Sequence, residues 1–183
     1  MKDGLFLGDK AVGVVERPRL FLDELKFDNY FHVEHYRKGE LLNIISSKNL
    51  VTNVGKNAIL DIMFHGSTQI TTWYQGLINN SGYSAVAAND TISSHAGWTE
   101  FTSYDESVRQ TWAEAAASSQ SMTSSSVSTF TISATGTVRG LFIVSESTKG
   151  GTTGTLWAAT LFSSTISVVD DDLLKVTYTI NAS

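Results

Sequence analysis

The chain has 183 residues, 42% hydrophobic and 17% charged, enough to bury one core and to form one domain with an appendage. A net charge of -5 offers no basic stripe to displace counterions, so nucleic acid is not expected as a partner. With no cysteines, disulfides, thiolate catalysis and Cys-ligated zinc or iron–sulfur sites are excluded, and no stretch approaches the ~20 apolar residues of a membrane span. The first twenty residues, MKDGLFLGDKAVGVVERPRL, lack the apolar core of a signal peptide, so synthesis in the cytoplasm is expected, with no membrane partner.

Up to about Asp28 no clean period exists. Leu5, Phe6, Val12, Val14 and Val15, then Leu20, Phe21, Leu22, Leu25 and Phe27, are scattered among charges, and Pro18 breaks any helix through it. Apolar anchors without local pattern suit an extended arm over residues 1–27 that wraps a neighbouring surface; a disordered leader or an ordinary first strand is the alternative. The body is then 28–183. In it, Phe31, Val33 and His35 alternate with His32, Glu34 and Tyr36, Arg37-Lys-Gly-Glu40 makes a turn, and Leu41, Leu42, Ile44 and Ile45 continue, which reads as a hairpin. In NLVTNVGKNAILDIMFHG (49–66), Asn53 can cap a helix with Ala58, Ile59, Ile62 and Met63 on one face, ended by Gly66.

Thr71–Ile78 reads as a strand, and residues 83–100, small and polar except Val86, Ile92 and Trp98, read as a loop long enough to be functional or interface-forming. Phe101–Tyr104 is a candidate strand. Arg109–Ala117 is read as a strand too, although Trp112-Ala-Glu-Ala-Ala-Ala117 also has high helix propensity. Residues 127–134 form a strand that turns Phe130 and Ile132 inward.

The last third organises the rest. Thr137–Ser145 is nearly continuous in β-branched and aromatic residues, as in a central strand, and Thr155–Ser163 could be covered on both faces. The glycines of Glu146–Gly154 make the tip between them a hairpin reversal, and they lack the helix and Lys-Ser/Thr of a phosphate loop. Leu174, Val176, Tyr178 and Ile180 alternate with Lys175, Thr177 and Thr179 as in a half-exposed antiparallel strand. The fold class expected is mainly β: an antiparallel, jelly-roll-like β-sandwich with one short helix and an extended N-terminal arm.

Candidate chemistry is sparse. His32 and His35, three apart on a strand, face opposite ways and cannot share a metal; His65 suits a helix end, and His95 stands in a loop without a motif. There is no G-x-S-x-G elbow, and Asp170-Asp-Asp172 lacks calcium-loop spacing and reads as a solvated turn. No catalytic, cofactor-binding or metal residue is assigned. The aromatics remain. Trp73, Trp98 and Trp112 could pack in the core, stack on sugars or anchor an interface.

In the order NLVTNVGKNAILDIMFHG, TTWYQGLIN, AGWTEFTSYDESVRQTWAEAAAS and FIVSESTKGGTTGTLWAATLF, the chain resembles a group of tailed-bacteriophage virion structural proteins, over most of residues 30–183. The group includes capsid decoration (cement) and minor structural proteins. The resemblance implies a virion location, on the capsid surface or at the neck or tail, and no enzyme activity or cofactor. The expected partners are the major capsid protein or other virion proteins and further copies of the chain, a trimer for instance. Leu5, Phe6, Val14, Val15, Leu20, Phe21, Leu22, Trp73 and Trp98 are the expected interface residues. A neck or tail adaptor and a glycan-binding receptor module are the competing expectations.

Overall fold

Short alternating or continuous apolar runs form two antiparallel sheets, and one segment of helical period forms a helix, in the structure, a computed structural model that describes residues 25–183. In chain order these are β1 (Phe27–Arg37), β2 (Glu40–Lys48), β3 (Leu50–Val51), α1 (Asn53–Phe64), β4 (Trp73–Asn79) and β5 (Glu100–Phe101). There follow β6 (Gln110–Trp112), β7 (Ser121–Thr123), β8 (Ser128–Thr131), β9 (Gly136–Val144), β10 (Leu156–Val168) and β11 (Leu173–Ala182). The first sheet runs β2-β1-β11 and continues to β7 and β8, which lie end to end along β11. The second runs β3-β10-β9-β4 and ends on β5 and β6, both paired with β4.

The first hairpin turns through Lys38 and Gly39, with φ of 51° and 83°, the paired positive φ angles of a type I′ turn. Its strand β1 pairs with β11 along their whole length, and Val33, Phe31, Val176, Leu174 and Tyr178 face the second sheet. Against them stand Leu77, Leu141, Ile143, Ala158 and Phe162, so one core fills the space between the sheets. Each large apolar side chain buried there contributes about 1.5–3 kcal/mol.

The central strand is central as expected, and the reason both its faces are apolar is a third layer. Phe142, Val144, Leu156 and Ala159 point away from the first sheet, where Ile92 and Trp98 from the loop between β4 and β5 cover them. The long polar loop thus carries its own small core. Trp98 Nε1 donates to Asp90 Oδ2 at 3.0 Å, the Ala87 N–H donates to the same oxygen at 2.9 Å, and His95 stacks on the Trp98 ring at 3.8 Å.

Two expectations about local structure change. Residues 109–117 give only the short β6, which then enters a hairpin whose turn, Ser119-Gln120, has φ of 50° and 58°. The alanines are held extended by the returning segment instead, with the Ala115 N–H bonded to the Thr123 carbonyl and the Ser125 N–H to the Ala113 carbonyl. The Asp170–Asp172 turn is not wholly solvated: Asp172 is fully buried and accepts from Arg37 Nε and Nη2 and His35 Nε2, each at 2.8 Å, and from the Val169 N–H at 2.9 Å. Lys26 and Ser183 exchange backbone bonds of 2.7 and 3.0 Å that extend the β1–β11 ladder, and Phe27 opens β1.

Candidate interface groove

At one end of the sandwich the two sheets are not sealed. A groove of about 380 Å³ opens there between α1, residues 69–71 and the hairpin that carries Gln120, and both sheets contribute to its walls. The half-buried apolar residues that pack against the main core are Phe27, Ile59, Trp73, Met122 and Ile180, and all of them line this groove. The core is therefore incompletely covered at that place. The lining is apolar apart from a few polar side chains, and among the described residues Glu114 is the one ionisable group in it.

Helix α1 explains the opening. Thr52, rather than Asn53, caps it, accepting from the Gly55 N–H at 3.0 Å. Gly55 lies so close to β10 that a Cβ there would fall 2.6 Å from the Trp157 carbonyl oxygen, which anchors the first turn. The rest of the helix swings out: Gly55 is its one buried residue, while Ala58, Ile59 and Ile62 face the groove. Met63, expected on that face, is 66% exposed, and Leu60 and Phe64 are exposed with it. His65 closes the helix, its N–H bonded to the Asp61 carbonyl, and Gly66 follows at φ 73°.

The floor is held from below by one phenol. Tyr178 is fully buried and its hydroxyl accepts from Asn49 Nδ2 and Trp157 Nε1, both at 2.8 Å. Burial pushes its pKa up, against the opposing effect of these donors. Its ring stacks on Phe31 at 4.5 Å and meets Trp112 edge-on at 5.1 Å. Trp157, oriented by that bond, meets Phe27 edge-on at 5.5 Å and Trp73 at 6.3 Å. The groove is thus an aromatic box on a rigid base.

Two ionic clamps, each with a buried member, fasten other parts of the fold. Arg109 is buried and forms a two-pronged pair with Glu100, Nε to Oε1 at 3.0 Å and Nη2 to Oε2 at 2.7 Å. It also donates to the carbonyls of Glu146 and Gly151, which ties down the glycine-rich hairpin tip. At Asp172 the Arg37 guanidinium, with help from the Val169 N–H and His35, holds the carboxyl well below the usual carboxylate range. Both carboxylates are neutralised by arginines, as suits structural ties.

Of the expected interface residues, Trp73 lies in the groove wall. Trp98 does not lie on a surface: at 1% exposed it is enclosed under its own loop. Trp112 is likewise buried, with only an edge reaching the groove. Leu5, Phe6, Val14, Val15, Leu20, Phe21 and Leu22 lie outside the described residues. Sequence reading missed Phe27, Met122, Trp157 and Ile180 as groove residues; the available hint was an apolar helix with bulky side chains on more than one side. Among the described residues no group of three or more His, Asp or Glu is placed to hold a metal ion. No protein-family model matches the chain, and no curated protein is significantly similar to it.

Proposed function

We propose that this chain is a structural protein of a tailed-bacteriophage virion that works by burying surface between subunits, as a capsid decoration (cement) protein. The observation that carries an assembly role is the open end of the core: half-buried aromatic and aliphatic residues from both sheets surround a groove beside a helix with exposed Leu60, Met63 and Phe64. Apolar surface gathered in one place marks an interaction site. The virion assignment rests on the motif order in residues 49–162, and the proposed partners are the major capsid protein and further copies of the chain.

In this reading the rigid sandwich is a spacer, and no side chain is given a catalytic task. A neck or tail adaptor would use the same surface, and stoichiometry separates the two. Mass-spectrometric counting on purified particles of the encoding phage should find on the order of hundreds of copies per particle; about six or twelve would indicate a ring set by tail symmetry. Absence from the particle refutes the virion reading. The glycan alternative loses two of its three platforms, since Trp98 and Trp112 are buried.

A further inference from the structure

We propose that β2 is the seam of a two-fold dimer, in which it pairs antiparallel with β2 of a second copy and joins the two first sheets into one. This rests on the reading above for its purpose, and it gives the self-association named there a surface.

Among the described residues β2 is the one long unprotected edge. It ends the first sheet, bonded on one side to β1 and paired on the other with no described residue. Such an edge offers a row of backbone donors and acceptors, and proteins blunt it by keeping it short, bulged, charged or proline-bearing. The other edges here are blunted in these ways. Strands β3 and β5 have two residues, β6 and β7 three, and β8 four. Past β3 the open side of β10 is broken by a register shift between Leu161 and Ile166 and exposes Ser163, Ser164 and Thr165. In contrast, β2 has nine residues, with no proline and no charge between Glu40 and Lys48, and leaves Leu41 and Leu42 48% and Ile44 50% exposed. Its own irregularity lies near the turn, between Leu41 and Asn43.

The hairpin fixes which backbone groups face outward. In a two-residue type I′ loop the flanking pair, Arg37 and Glu40, is the hydrogen-bonded one, so odd-numbered residues of β1 turn their backbone groups to β2 and even-numbered ones to β11. Bonds beyond the loop agree: the Asn29 carbonyl accepts from the Asn49 N–H on the β2 side, and Lys26 exchanges both its bonds with Ser183 on the β11 side. Ile44 stands opposite Glu34 and Ser46 opposite His32, so both direct N–H and C=O away from β1.

The strand is complementary to itself. An antiparallel pair centred on Ile44 sets it opposite the partner's Ile44, each N–H donating to the other's carbonyl, with the two half-exposed side chains on one face. Glu40 of each copy then lies towards the partner's Lys48. With Lys38, and with Asp28, which is ion-paired to Lys48, each end gathers two bases and two acids. A parallel pair would bring Glu40 to Glu40 and Lys48 to Lys48. The Lys48 carbonyl already accepts from Thr160 Oγ1 at 2.8 Å, so the bonded stretch is residues 42–46.

The test uses full-length protein. Ile44→Pro removes an N–H that β1 does not use, so the sandwich should melt as before while the seam is blocked. Ile44→Lys sets two like charges on the two-fold axis. In sedimentation equilibrium the unaltered chain should form reversible dimers, and each variant should dimerise about tenfold more weakly or worse. Mixing Ile44→Lys with Ile44→Glu should restore the dimer, because opposite charges then meet at the axis; this pair carries the test if the proline variant does not fold. Because the chain has no cysteine, single-cysteine variants report direction. Spin labels should be closest on Ile44→Cys, offset along the strand by about 14 Å on Ser46→Cys and by about 27 Å on Glu40→Cys. The proposal is overturned by a chain that stays monomeric at every soluble concentration, by variants that dimerise like the unaltered chain, by a mixture without recovery, or by equal label distances at the three sites. None of these readouts needs a virus particle, so they can fail while the particle count succeeds, or the reverse.

Discussion

Replacing Tyr178 with phenylalanine removes a single oxygen from the fully buried base of the groove. The ring should keep its contacts with Phe31 and Trp112, so packing is preserved and the loss is polar. Asn49 Nδ2 and Trp157 Nε1 each donate to that oxygen at 2.8 Å and would be left facing an apolar ring. A buried donor without a partner costs about 1–3 kcal/mol, so two should cost about 2–6 kcal/mol together, a large share of the roughly 5–15 kcal/mol that holds a domain folded. Urea unfolding should show a lower midpoint at unchanged slope. Trp157→Phe removes one of the two donors, and the double variant should be less destabilised than the sum of the singles by about 1 kcal/mol or more. Loss of the tie should also loosen the Trp157 indole, visible in near-ultraviolet circular dichroism. A Tyr178→Phe protein within about 0.5 kcal/mol of the unaltered chain would refute the assignment of this hydroxyl as the hub.

Asp172 should make stability acid-sensitive in a defined direction. Because Arg37 lowers its folded pKa, the stabilisation is complete above the ordinary carboxylate range and is lost as pH falls below it towards the folded value. Melting temperature measured from about pH 6 to pH 2 should fall less steeply in Asp172→Asn, which should also be less stable at neutral pH. Gly55→Ala should destabilise despite the ~1 kcal/mol gain in helix propensity, because its Cβ would meet the Trp157 carbonyl at 2.6 Å; hydrogen exchange of the α1 amides should quicken. Ser119→Asn with Gln120→Gly should raise stability by about 1 kcal/mol, since both residues now occupy the left-handed region; an unchanged melt would contradict that turn geometry.

The strands were legible where their pattern is local. Val33 and Phe31 in β1, Leu141–Val144 in β9 and Leu174, Val176 and Tyr178 in β11 have the burial that their alternation or continuity predicts. The helix lies at nearly the bounds its pattern predicts, but a periodic apolar face tells which side chains point together and says nothing about whether anything covers them. Trp98 erred in the opposite sense. Expected as an interface residue, with core packing the alternative, it is buried where the loop folds back and sets the ring against Phe142 at 5.1 Å.

By itself, then, the order of residues determined the β-rich class, the tight turn at Lys38-Gly39, the hairpin after β9, the single helix and the absence of thiol chemistry. Each depends on steric preferences acting over a few residues, or simply on composition. Only the tertiary structure decided that His35 and Arg37 meet Asp172, that Arg109 meets Glu100, and that Phe27, Trp73 and Trp157 surround one unsealed end of the core. Those meetings join segments far apart in the chain, and the pairing of β1 with β11 and of β4 with β9 sets them through sheet register, which no local periodicity encodes.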